Sequence, residues 1–74
     1  MSPRLGSFKS KEVILKLKRA SFQIDHTTGS HVVLFNPDKN VRLVVPYHVK
    51  DLKRGLLFGI VKQAGLTIEE FQNL

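Results

Sequence analysis

Apolar positions along this chain recur first with helical spacing, then with strand spacing, then with helical spacing again. Val13, Ile14 and Leu17, extended by Ala20, mark one face of a helix from about Ser10 to Ala20, with Lys11, Lys16, Lys18 and Arg19 off that face. Ser10 is placed to cap its N-terminus. Phe22–Asp25 alternates apolar and polar residues and predicts a strand, and Thr27–Ser30, which contains Gly29, suits a turn. His31–Phe35 is rich in β-branched and aromatic residues and predicts a second strand. Val41–Val45 predicts a third, ended by Pro46, which has no N–H to give a ladder. Between them, Asn36-Pro37-Asp38-Lys39-Asn40 carries turn chemistry: proline presets φ, and Asn and Asp can bond the local backbone. Such short connections imply an antiparallel meander.

Leu57, Ile60, Val61 and Ala64 then form an amphipathic stripe on a helix from about Lys53 to Ala64. Gly65 follows where glycine ends helices. Thr67-Ile68-Glu69-Glu70 reads as a capping box, and Leu66 with Phe71 as its hydrophobic staple, so a short closing helix starts there. The expected fold is α+β, in the order α-β-β-β-α, with a three-stranded antiparallel sheet and a short C-terminal helical extension.

If the helices cover one face of the sheet, Val33, Phe35, Val41, Leu43 and Val45 are the expected core residues. Val32, Leu34 and Val44 then point to the other face, which an antiparallel sheet can leave in water. Three aliphatic side chains there predict a second packing surface or a site for a partner; scattered surface aliphatics are the plainer alternative. Phe58 lies off the buried stripe of its helix and is a further exposed candidate.

The chain has 74 residues, enough for one domain, with residues 1–9 read as a tail and 10–74 as the domain. It contains no cysteine, which removes disulfides and cysteine-based zinc sites. No apolar run has the length to span a bilayer, and the first residues lack the apolar core of a signal peptide, so a cytoplasmic location is expected. Charge changes the picture most. Twelve Lys and Arg against six Asp and Glu leave a net charge of +6, which favours a polyanionic partner. Arg4, Lys9, Lys11, Lys16, Lys18 and Arg19 form one cluster, and Lys50, Lys53, Arg54 and Lys62 a second.

Candidate chemistry is sparse. There is no Gly-rich phosphate loop, no HExxH and no GxSxG, and Asp25, Asp38 and Asp51 fall in separate segments. His26, His31 and His48 with Asp25 lack the spacing of a ligand set, so neither a metal nor a cofactor is expected. What remains is histidine in basic surroundings. RNA carries its own nucleophile, the 2′-hydroxyl, and its cleavage needs a base for that proton and an acid for the departing 5′-oxygen. Histidine suits either role near neutral pH. His31 follows Gly29-Ser30 where a turn becomes a strand, a place where backbone can approach a phosphate and Ser30 can offer a hydroxyl. A structural histidine is the alternative reading.

Four segments, Gly29-Ser30-His31, Val45-Pro46-Tyr47-His48, Leu52-Lys53-Arg54-Gly55 and Ile60-Val61-Lys62-Gln63-Ala64-Gly65-Leu66, together resemble the HicA toxins, also called YcfA-like proteins. The resemblance runs from about Ser10 to Phe71. It implies a fold like that of double-stranded-RNA-binding domains and cleavage of messenger RNA, as an mRNA interferase of a toxin–antitoxin pair restrained by a HicB-type antitoxin. It also implies that His31 is the catalytic histidine, and that His48 matches a second family histidine, with a supporting role and a structural role at the mouth of the loop as the two alternatives. Ser30, by its place beside His31, is a further supporting candidate. Lys50, Lys53 and Arg54, with Lys9 and Lys11, are the expected RNA contacts; Val32, Leu34, Val44 and Phe58 are the expected antitoxin contacts. The chain departs from the family pattern at Ser21, where glycine is usual, at Val32, where many members have a second histidine, and at Leu56, Phe58 and Gly59. A non-catalytic RNA-binding module and a protein-interaction domain are the competing readings.

Overall fold

The computed structural model describes residues 8–74. Helix α1 spans Ser10–Arg19, strands β1, β2 and β3 span Gln23–Thr28, His31–Asn36 and Val41–Pro46, and helices α2 and α3 span Arg54–Gln63 and Ile68–Gln72. The strands form one antiparallel sheet in the order β1-β2-β3. This is the expected α-β-β-β-α order with its short helical extension, compatible with the double-stranded-RNA-binding-domain-like arrangement. The expected tail lies outside the described residues except for Phe8 and Lys9, as does Arg4. Phe8 already packs edge-on against Phe71, with ring centroids 5.5 Å apart.

One face of the sheet is covered. Val32, Leu34, Leu43 and Val45 are buried against Val13, Ile14 and Leu17 of α1 and Leu57, Ile60 and Val61 of α2, with Phe71 of α3 closing the core. This corrects the expected assignment of β2. Val32 and Leu34, expected outside, are core residues; Val33 and Phe35, expected inside, are half-buried on the opposite face. The reason is turn parity. Four residues, Pro37 to Asn40, separate the paired residues Asn36 and Val41, so every even position of β2 faces an odd position of β3. Val32 therefore shares a face with Val45, and Leu34 with Leu43. Residues directly opposite in an antiparallel pair point the same way, so only this grouping gathers one apolar face.

The turn itself follows the expected chemistry. Asn36 Oδ1 accepts from the backbone N–H groups of Asp38 and Lys39, at 3.0 and 3.1 Å, while its Nδ2 donates to the Ala20 carbonyl at 3.3 Å. That buried amide ties the β2–β3 turn to the end of α1. Strand β1 is longer than expected, because Thr27 and Thr28 join the ladder and leave Gly29-Ser30 as a two-residue hairpin loop. Gly29, first of the two, has φ +53°, the positive value such a tight hairpin requires.

Both long helices end in the same way. In α2 the N–H of Leu66 donates to the Val61 carbonyl and that of Gly65 to the Lys62 carbonyl; in α1 Phe22 donates to Leu17 and Ser21 to Lys18. These are Schellman pairs, which need a left-handed residue after the helix. Gly65, at φ +74°, adopts it freely, whereas Ser21 holds the same φ of +74° against its Cβ. The glycine usual in the resembled family at Ser21 thus has a backbone reason. The capping box of α3 forms as expected: Thr67 Oγ1 accepts from the Glu70 N–H at 3.0 Å, and Glu70 Oε1 from the Thr67 N–H at 2.9 Å.

Candidate functional site

The G-S-H turn and the P-x-H segment meet at one end of the sheet. His31 opens β2 opposite Pro46, the last residue of β3, and the N–H of Tyr47 donates to the Ser30 carbonyl. His31 is exposed, and since Val32 beside it points into the core, its side chain lies on the open face with Val33 and Phe35.

Ser10 organises the loop that follows β3. It does not cap α1, whose N-cap is Lys9, with the Lys9 N–H donating to Glu12 Oε1. Instead the buried Ser10 hydroxyl donates to the Pro46 carbonyl at 2.6 Å and accepts from the Val49 N–H at 3.1 Å, while its own N–H donates to the Val49 carbonyl. Residues 46–49 are thereby held against the start of α1. Within that loop His48 is exposed, has φ +62°, and lies with its ring centroid 4.1 Å from that of Tyr47.

This clasp assembles a basic groove of about 610 Å³, lined by Lys9, Ser10, Lys11, His48, Val49 and Lys50. Three lysines expected to contact RNA, from two distant segments, thus share one open groove with His48 at the N-terminal end of α1. Cations at a helix N-terminus oppose its dipole, and an anion seated among them relieves both. Lys53 and Arg54 do not line the groove. They are the N-cap and first residue of α2, whose first turn holds no acidic side chain.

The expected antitoxin contacts do not form one surface. Val32 and Leu34 are buried; Val44 is 50% exposed on the open sheet face, and Phe58 is 38% exposed on α2, in the layer behind the sheet. The open face carries instead Val33, Phe35 and Val44, with Arg42 stacked over the Phe35 ring at 4.7 Å.

One cluster was not anticipated. A bulge in β1 inserts Asp25 between Ile24, opposite Leu34, and His26, opposite Val33. Asp25 Oδ2 accepts from Arg42 Nη1 at 3.0 Å and lies 2.6 Å from His26 Nδ1. The hydrogen bond from His26, followed by the nearby Arg42 guanidinium, holds the Asp25 carboxyl below its usual range. The sequence shows the Asp25-His26 pair, but only the cross-strand register brings Arg42 to it.

Fold and site together define a small basic α+β domain, its arrangement compatible with that of double-stranded-RNA-binding domains, with an exposed histidine on its open sheet face and a lysine-lined groove at the N-terminal end of α1. A family described as HicA toxin of bacterial toxin–antitoxin matches residues 10–66, and the chain belongs to that family. It is therefore the toxin of a toxin–antitoxin pair, in a family known for ribonuclease activity, and its partner is an antitoxin. No curated protein matches the chain. Among the described residues, no helix is long and apolar enough to cross a membrane.

Proposed function

We propose that this protein is an mRNA interferase: a metal-independent endoribonuclease of the cytoplasm that cuts messenger RNA with His31 as general acid–base residue and is restrained by a HicB-type antitoxin. The observation that carries the reading is the position of His31, exposed at the strand end where the G-S-H turn bonds to the P-x-H segment. The groove of Lys9, Lys11 and Lys50 lies just past that junction, where it can hold a phosphodiester chain. Lys53 and Arg54 extend the positive surface along α2, and Ser30 offers its hydroxyl next to His31. His48, within the groove, supports phosphate binding.

The reaction follows from RNA's own chemistry. Deprotonation of the 2′-hydroxyl makes it the nucleophile toward the adjacent phosphorus, and cations nearby stabilise the charge that builds on the phosphoryl oxygens. A purified messenger RNA incubated with wild type and His31→Ala tests this directly. Wild type should cleave it in the presence of EDTA, and a 2′-deoxy substitution at the scissile nucleotide should block the cut. His31→Ala should be slower by about 10²–10⁴-fold while keeping its circular dichroism. Equal cleavage by the folded variant would remove His31 from the chemistry. Binding without cleavage by wild type would leave an RNA-binding module.

A further inference from the structure

In-line displacement at phosphorus sets the attacking 2′-oxygen and the leaving 5′-oxygen on opposite sides of the reacting atom. One imidazole beside the nucleophile cannot also protonate the leaving group in the same step. A second proton-carrying residue on the same open surface is therefore the group to look for.

His26 has that position. It stands opposite Val33, and His31 stands opposite Thr28. His26 and Thr28 on β1, with His31 and Val33 on β2, form a rectangle on one face, and the two histidines are its diagonal corners. Diagonal neighbours of an antiparallel pair lie about 7 Å apart, within mutual reach of large side chains. The β1 bulge makes this possible. It lets Asp25 and His26, adjacent in sequence, act on the same side of the sheet, and bulges re-aim side chains in this way.

Asp25 supplies the second requirement. Its carboxylate, anchored by Arg42 at 3.0 Å, receives the Nδ1 hydrogen of His26 across 2.6 Å. That contact fixes which ring nitrogen is engaged and leaves Nε2 on the far side of the ring for other work. The side chain of His26 remains 52% exposed.

We propose that His26, oriented by Asp25 and Arg42, is the general acid for the reaction in which His31 is the base. This rests on the ribonuclease reading above. Neutral His31 takes the 2′-hydroxyl proton as the 2′-oxygen bonds to phosphorus. The bond from phosphorus to the 5′-oxygen breaks, and protonated His26 gives its Nε2 proton to that oxygen. The products are a 2′,3′-cyclic phosphate and a free 5′-hydroxyl; His31 is left protonated and His26 neutral, and exchange with water restores both. Asp25 and Arg42 are positioning residues.

A leaving group that needs no proton isolates this step. The test compares wild type, His26→Ala, His31→Ala and His48→Ala on an RNA oligonucleotide and on the same oligonucleotide with sulfur in place of the bridging 5′-oxygen at the scissile bond. His26→Ala should cleave normal RNA about 10²–10⁴-fold more slowly than wild type and recover on the sulfur substrate, while His31→Ala stays slow on both. Circular dichroism verifies the fold, and Asp25→Asn should show a weaker form of the His26→Ala pattern. Wild-type rates from folded His26→Ala on normal RNA overturn the assignment and leave the ribonuclease reading intact. A defect that sulfur does not repair, or one that sulfur repairs only in His48→Ala, also overturns it. Failure of wild type to cleave either substrate defeats the underlying reading, and this proposal with it.

Discussion

Alternate residues of β2 serve two different surfaces. Val32, Leu34 and Asn36 are sealed beneath the helices, where every position is filled by a partner or a hydrogen bond. His31, Val33 and Phe35 look the other way, beside His26, Arg42 and Val44, with no layer of the described residues over them. The first surface accounts for the stability of so small a domain. The second holds titratable and apolar groups that stability does not require, and that is where chemistry or a partner is to be sought. The difference teaches that exposure on this sheet is organised rather than accidental: both sides of one strand carry aliphatic residues, but its imidazole stands only on the open side.

The largest expected effect separates the two surfaces by what is lost. His31→Ala should reduce cleavage by about 10²–10⁴-fold while shifting stability by only about 1 kcal/mol. Activity assays and urea denaturation on the same preparation check this. A large stability loss would place His31 with the structural residues and break the contrast.

Next comes the covered side. Leu34, 0% exposed, should cost about 2–5 kcal/mol when cut to Ala, whereas Val44, 50% exposed one strand away, should cost under about 1 kcal/mol. Denaturant midpoints measure both. Similar values would mean that the open face is covered in solution.

A smaller effect has the opposite sign. Ser21→Gly should stabilise the protein by about 1 kcal/mol, because it relieves a left-handed residue in the Schellman end of α1. Thermal denaturation detects it, and cleavage should be unchanged, since the substitution strengthens only the helical layer. The corresponding Gly65→Ser should destabilise.

The smallest is a pH effect. Hydrogen bonds from the Thr67 backbone and hydroxyl hold the Glu70 carboxyl below its ordinary value of 4.5. A depressed folded value means that the contribution is present above pH 4.5 and is lost as pH falls through that folded value. Asp25 acts with the same sign on the open face. Glu70→Gln should therefore lower the denaturation midpoint at neutral pH and shrink the drop seen on acidification. An identical acid profile in wild type and variant would remove the capping box as its source.

Local chemistry made much of the fold legible. The stripe of α2, the glycine after it, the Thr67–Glu70 box and the Asn36 turn all act within a few residues, and sequence reports such interactions directly. The face of β2 did not follow, because both of its sides carry aliphatic residues and only the loop parity decides between them. Ser10 looks like a cap by position, but a contact 39 residues away claims its hydroxyl. The candidate site divides in the same manner. His31 and the lysines were readable from motif and charge. The Asp25–His26–Arg42 cluster was not, because it depends on a bulge and on a register across three strands.

The clasp at Ser10 also bears on how the chain reaches this structure. Its partners, Pro46 and Val49, lie 36 and 39 residues away, at the end of the sheet and just past it. Contacts of such separation must wait for the intervening chain to organise, since closing a long loop is entropically costly until other contacts have shortened it. The β1–β2 hairpin, with its two-residue loop, and the two helices are local and can form early. Loop closure therefore predicts that the segment carrying His48 orders after the sheet has brought its end beside α1, and that the lysine groove is completed late. During synthesis, a partially made chain has its hairpin histidines before it has the residues that complete the lysine groove.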